Sequence, residues 1–254
     1  MSAFKRIGRW FAGALVLTLF LASCAAVKED RTDCPCSLFV SLAALPEAPV
    51  EVRVYAEELC FRDSWDRDTS VRVLVKERSA QVLGIAGGVL NEAGYVSIPS
   101  GSDCPEVFLA SHTVATVRDT AQCKLRLHKH FCTLGISFDG PPGWGEPFSV
   151  NIRGRVQGLY PDGSPVEGPF SYSLAPGETC RLPRQAPGEE LWLDITMPEG
   201  VLRSFALGTY LEQAGFDWTA TDLKDVALRI DLSVTSITFT LDRWSTTVPL
   251  TIVI

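Results

Sequence analysis

Val50-Glu51-Val52-Arg53-Val54 alternates a β-branched apolar residue with a charged one. In an extended chain every second side chain points to the same face. This stretch therefore sets three valines on one side and Glu51 and Arg53 on the other, the pattern of a half-buried strand. The same period recurs outward from it. Upstream, Leu38, Val40 and Leu42 alternate with Phe39 and Ser41. Downstream, Val71, Val73 and Val75 alternate with Arg72 and Leu74. Val89 to Ile98, interrupted by Asn91 and Gly94, suits a hairpin. Val107 to Ala110, Thr113 to Val117 and Lys124 to Leu127 supply further short strands. Cys60 to Asp68 is the most polar stretch of this half and reads as a loop.

A second set begins near Phe131. Leu134, Ile136 and Phe138 alternate until Asp139-Gly140-Pro141-Pro142-Gly143 breaks the strand. Val150, Ile152, Gly154 and Val156 follow, then Leu191, Leu193 and Ile195. Pro161-Asp162-Gly163 and Ala175-Pro176-Gly177 are turn signals, with φ fixed by proline and freed by glycine. Thr209 to Glu212 fits a capping box, and Gly215 would close a helix of one or two turns. Val226, Leu228, Ile230 and Leu232 face Ile237, Phe239 and Leu241 across a turn near Val234-Thr235. The chain stops at Leu250-Thr251-Ile252-Val253-Ile254, an apolar strand that must complete a sheet in its own subunit or in a neighbour. The boundary between the two sets falls between Arg126 and Phe131, and no repeat of short period is visible.

The first residues follow a different logic. Lys5, Arg6 and Arg9 precede an apolar run from Trp10 to Ala22, the order of a secretory signal. The run is short for a transmembrane span. Leu21-Ala22-Ser23-Cys24 resembles the lipobox of bacterial lipoproteins, in which the cysteine takes a diacylglyceryl group and becomes the new N-terminus. Each buried methylene contributes roughly 0.8 kcal/mol, so two or three chains anchor stably. Ala25 to Asp33 is a polar tether, and Lys28-Glu29-Asp30 within it reads either as an outer-surface export signal or as a solvated linker.

Hydrophobic content of 46% and charged content of 21% are those of a globular chain with a real core. A net charge of −7 argues against nucleic acid as a partner. There are eight cysteines. With Cys24 acylated, Cys34, Cys36, Cys60, Cys104, Cys123, Cys132 and Cys180 remain. Export permits disulfides, but an odd set leaves one thiol over, and the connectivity stays open. Cys34-Pro35-Cys36 has neither redox nor zinc-finger spacing, so the cysteines read as structural.

Catalytic signals are few. The chain lacks a G-x-S-x-G elbow and a phosphate-cradling G-x-x-x-x-G-K-[ST] loop. Gly84-Ile85-Ala86-Gly87-Gly88 reads as a loop. His128 and His130 would share a face of a strand, as surface or interdomain histidines rather than as a metal pair. Asp63, Asp66 and Asp68 flank Trp65 without the remainder of a calcium loop. Glu189-Glu190 looks like a solvent face. The six tryptophans read as core residues, with a sugar-stacking platform as the alternative. No catalytic, cofactor or metal residues are assigned, and an enzyme is the least expected class.

Three stretches together resemble the FimB-type fimbrial anchor family, the fimbrillin-associated lipoproteins of type V fimbriae. They are Cys24 with Val27 to Arg31 and Cys34-Pro35; Phe216 to Val226; and the closing hairpin from Ile230-Asp231 to Trp244. The resemblance implies an all-β chain with two tandem transthyretin-like Greek-key β-sandwich domains behind the lipoprotein signal. The segments are 1–23 for the signal, 24–36 for the lipidated tether, 37–128 and 129–254 for the sandwiches. It further implies a surface-exposed outer-membrane lipoprotein, held by acyl chains on Cys24. Its partners would be fimbrial subunits, and it would hold the polymer and limit its length by β-strand complementation. Polymerising relatives are trimmed after an arginine. Arg31, Arg53 and Arg62 are the early arginines here, and cutting at Arg53 would remove core, so no cut beyond signal removal is expected. The alternatives are a surface glycan-binding lipoprotein and an adhesive tip subunit.

Overall fold

The alternating stretches become strands, and their buried faces meet in two cores. The computed structural model describes residues 34–44, 47–66, 68–139, 149–175, 177–188, 190–196, 200, 202–231, 236–241 and 244–249. The lipobox Leu21 to Cys24, the tether up to Asp33, Trp144 and the strand expected from Leu250 lie outside these residues, whereas Cys36, placed at the end of the tether, opens a strand.

The first half contains β1 (Cys36–Leu42), β2 (Val50–Ala56), β3 (Glu58–Trp65), β4 (Ser70–Val75), β5 (Ser79–Ala86), β6 (Val96–Ser97), β7 (Phe108–Ala115), β8 (Thr120–Leu125) and β9 (His128–Lys129). The second contains β10 (Phe131–Asp139), β11 (Ser149–Leu159), β12 (Pro165–Leu174), β13 (Thr179–Pro183), β14 (Trp192–Thr196), β15 (Leu202–Phe205), α1 (Leu207–Gln213), β16 (Val226–Asp231), β17 (Ser236–Leu241) and β18 (Trp244–Pro249).

The two halves share one topology that no sequence repeat betrays. β1 is flanked by antiparallel β4 and parallel β8, and β10 by antiparallel β13 and parallel β16. The facing sheets run β3-β2-β5-β7-β9 and β12-β11-β14-β15. A hairpin cannot join parallel strands, so the chain must visit the opposite sheet before it returns beside its first strand. That requirement produces a Greek-key sandwich twice, and the chain is an all-β sandwich protein.

The first core takes Leu38, Val40, Val50, Val52, Val54, Val73, Val82 and Leu125 from both sheets. The second is larger and reaches back into the first half. Leu83 and Ile85 of β5, Leu109 of β7 and the segment from Val96 to Val107 pack with Leu134, Ile152, Leu193 and Phe205. β6 pairs with β11, Val96 opposite Leu159 and Ser97 opposite Gly158. A methyl group on Gly158 would lie 2.5 Å from the Tyr95 ring and 2.7 Å from the Val96 carbonyl, so only glycine admits this crossing.

Several local expectations change. Cys60 to Asp68 is mostly strand, because β3 pairs with β2 from Trp65 to Glu58 as a polar edge of its sheet. Gly84 to Ala86 is the end of central β5, not a loop, and Gly84 makes room for Leu125 and Leu127. The two strands expected at 107–110 and 113–117 are one, β7, since pairing with β5 continues through Ser111 and His112. The helix begins at Leu207 without a side-chain cap, ahead of Thr209, because Leu207, Tyr210 and Leu211 are buried. Gly215 does follow it, at φ +89. The turn at Asn91 and Gly94 forms, with Asn91 N–H donating to Tyr95 O and Gly94 N–H to Asn91 O.

Candidate functional site

Matching the halves strand by strand exposes one difference. β16 carries β17 and β18 beyond it in the sheet, paired through Ile230–Ile237 and Thr238–Thr247. β8 is the counterpart of β16, and among the described residues it pairs with β1 alone. Ser37 N–H donates to Asp119 O and Ala43 N–H to Leu125 O. In a parallel ladder of that phase, the main-chain groups of Thr120, Gln122 and Lys124 turn to the opposite, open edge. Such an edge is a template for another strand. On the outer face, one strand in from that edge, Phe39 (43% exposed) sits opposite Gln122, and Leu74 (56% exposed) lies on β4, across β1 from β8.

A second feature lies where the halves join. Arg184, at the end of β13, is buried. Its Nε–H donates to His130 Nδ1 at 3.0 Å, and its terminal nitrogens donate to the carbonyls of Trp218, Ala220 (2.7 Å) and Thr221 (3.2 Å). Nearby, Lys129 N–H donates to Asp222 Oδ1 at 2.8 Å, and Asp225 accepts from Lys129 Nζ and Thr133 N–H, each at 2.6 Å. Burial pushes the His130 imidazole down to about 4, helped by the Arg184 and His128 charges. Burial likewise lowers Arg184. Burial alone would raise Asp222 and Asp225, but backbone donors with His128 for the first, and Lys129 with Thr133 for the second, hold both below 3.8.

The residues singled out by sequence separate under this geometry. His128 and His130 are interdomain, but they part company: His128 meets Asp222 at 3.3 Å while His130 turns to Arg184. Asp63 accepts from Trp65 Nε1 at 3.1 Å and from Ser64 N–H at 2.9 Å, as the brace of an edge strand. Trp65 and Trp218 are core residues, and half-buried Trp192 carries Arg153 at 5.1 Å over its ring, so these three make no shared sugar platform. Cys34, Cys60, Cys104, Cys123, Cys132 and Cys180 are free thiols. Among the described residues no three His, Cys, Asp or Glu side chains group as a metal site. Arg184 escaped sequence reading because its partner lies 54 positions away and nothing periodic surrounds it.

No family model and no curated protein sequence matches the chain. Solved structures do. A DUF1812 protein from Bacteroides thetaiotaomicron, provisionally described as polysaccharide-binding, aligns with a TM-score of 0.61 at 12% identity, over 84% of this chain and 98% of its own. The fimbrial anchor protein Mfa2 from Porphyromonas gingivalis aligns with a TM-score of 0.55 at 11% identity, over 84% and 99%. A provisional adhesin from Bacteroides ovatus gives 0.56 at 13% identity, over 84% and 95%. What the chain shares with these proteins is the fold, across nearly their whole length.

Proposed function

We propose that this chain is an accessory subunit of a fimbrium, moored in the outer membrane through acyl chains on Cys24. It accepts a β-strand from a neighbouring subunit along the open edge of β8, and so holds the polymer at the cell surface and limits its length. The observation that carries this reading is the asymmetry between the halves: β16 is covered by two further strands and β8 by none among the described residues. Phe39, one strand in from that edge and opposite Gln122, supplies exposed apolar surface on the outer face, while the main chain of β8 supplies the hydrogen bonds. The lipobox at Leu21 to Cys24 and the fold shared with a fimbrial anchor protein support the same role.

The test mixes purified chain with depolymerised fimbrial subunits and measures complex formation. Gln122→Pro removes an outward N–H without touching the ladder to β1. It should abolish the complex and leave the circular dichroism spectrum unchanged. Equal binding by Gln122→Pro would exclude this edge. For the mooring, Cys24→Ala should move the protein from the membrane fraction to the soluble one, and membrane retention would remove the lipid anchor.

A further inference from the structure

A cleft of about 470 Å³ opens between the two halves, within the size range of small-molecule pockets, which favour such junctions. Its walls come from β7, the strand linker at Arg126, the β11–β12 turn and the loop at Trp218 to Thr221. The charge there runs against that of the molecule. The whole chain carries −7, yet the cleft is lined by Arg126 and Arg184, with His112 and His128, against Asp162 as its one carboxylate among the described residues. Asp162 is already engaged, because its Oδ1 accepts from the Ser164 N–H at 2.9 Å and from the Ser164 hydroxyl at 2.6 Å.

Neither guanidinium is matched by a carboxylate in contact. Arg184 spends its donors on three carbonyls and an imidazole, and Asp217 near it is held by Thr219 at 2.8 and 2.6 Å. Its buried charge is therefore neutralised at a distance only. Arg126 stands exposed at the rim and makes no hydrogen bond or ion pair with any described residue. Asp222, outside the lining, offsets part of this charge, since it acts on both Arg126 and Arg184, but its oxygens are taken by Lys129 N–H and His128, so the Arg126 guanidinium keeps its donors. A low-dielectric wall behind the remaining positive charge concentrates the field in the opening. A planar guanidinium free at that point suits a single carboxylate, which it binds through two parallel hydrogen bonds. Ser111, Ser164, Thr219 and Thr221 bring hydroxyls to the walls; Ser164 and Thr219 already donate to Asp162 and Asp217, which leaves their oxygens as acceptors for the hydroxyls of a ligand.

We propose that this cleft binds a small carboxylate-bearing saccharide of one or two rings, with the carboxylate on Arg126 and the ring hydroxyls against the serine and threonine walls. The site goes beyond the strand-acceptor reading and stands without it, since β8 contributes no residue to the cleft.

The experiment titrates the full-length, detergent-solubilised protein with digalacturonate and with its neutral counterpart galactobiose, followed by calorimetry and by changes in the histidine NMR signals. Digalacturonate should bind at least about tenfold more tightly than the neutral disaccharide, because one of its two carboxylates gains a charge-assisted pair with Arg126. Arg126→Ala should lose about that tenfold without shifting the melting temperature, since Arg126 is exposed. The signals of His112 and His128 should move on binding. Four results would overturn the proposal: no binding at about 10 mM saccharide, equal binding of both sugars, unchanged binding by Arg126→Ala, or binding of an acidic peptide where digalacturonate does not bind. Loss of fimbrial-subunit binding in Gln122→Pro would leave each of these outcomes unaffected.

Discussion

Arg184 donates its Nε–H to Nδ1 of His130 at 3.0 Å, and the imidazole can accept that bond only while Nδ1 is unprotonated. The pair joins the linker between the halves to the end of β13. Burial first, and then the Arg184 and His128 charges, hold His130 down to about 4, against 6.5 in an unfolded chain. The unfolded state then binds more protons than the folded one between those values. Stability is therefore fully present above pH 6.5 and falls as pH drops toward 4. The loss reaches about 3 kcal/mol at most, because each tenfold change in proton affinity is worth about 1.4 kcal/mol. His130→Gln keeps an acceptor for Arg184 without titrating. Denaturant unfolding at several pH values should show a slope between 6.5 and 4 in the parent chain that is flattened in His130→Gln.

Asp225 controls a lower window. Burial would raise its carboxyl, but Lys129 and Thr133 hold it below 3.8. A depressed carboxylate stabilises above its unfolded value and stops doing so as pH falls through the folded one. Its side chain is 57% exposed, so solvent screening keeps the contribution to about 1 kcal/mol. Asp225→Asn should lose that amount at pH 7 by chemical denaturation. As pH falls below 3.8 and through the folded value of the carboxyl, the difference between variant and parent should close.

Much of this architecture was legible and the site was not, for a physical reason. Period-two alternation places Val50, Val52 and Val54 on one face wherever they lie, because pleating is local. The closing hairpin was readable for the same reason, down to Ile230 opposite Ile237. Where local polarity and long-range pairing disagreed, pairing prevailed: Asp63 and Arg62 sit in strand because β2 offers an edge. The open side of β8, the Arg184–His130 bond and the passage of β6 into the second sheet depend on which distant strands become neighbours. Composition and spacing carry no record of that.

Gly163 closes the β11–β12 turn over the His130 ring. A methyl group there would lie 1.9 Å from His130 Cε1, and the backbone stands at φ +83. Gly177 has nearly the same backbone, φ +84, with nothing within 4 Å of its own added methyl. Gly177→Ala therefore measures backbone strain alone, about 1 kcal/mol. Gly163→Ala adds the displacement of a buried ring, a further 1–3 kcal/mol or so. Thermal melts of the two variants should differ in that order, with Gly163→Ala also shifting the His130 NMR signal. Equal melting temperatures would mean that the turn does not press on the imidazole.

The thiols of Cys34, Cys60, Cys104, Cys123, Cys132 and Cys180 should divide by burial and not by pairing. Cys132 lies opposite Leu182 and Cys180 opposite Leu134, so the two cysteines are diagonal across β10 and β13. Diagonal neighbours stand about 7–8 Å apart, beyond the span a disulfide closes without moving the backbone. Burial also raises four of the thiols: Cys180 is pushed up to about 12, and Cys104, Cys123 and Cys132 are likewise lifted. A thiol reacts as its anion, so these are inert in the folded chain at neutral pH. Cys34 and Cys60 are exposed. Maleimide labelling of the native acylated protein at pH 7, without reductant, should modify those two. After denaturation, still without reductant, Cys104, Cys123, Cys132 and Cys180 should label as well. A shortfall of two on denaturation would reveal a disulfide, with Cys104, whose N–H donates to Arg181 O and which lies near Cys132, as the first partner to test.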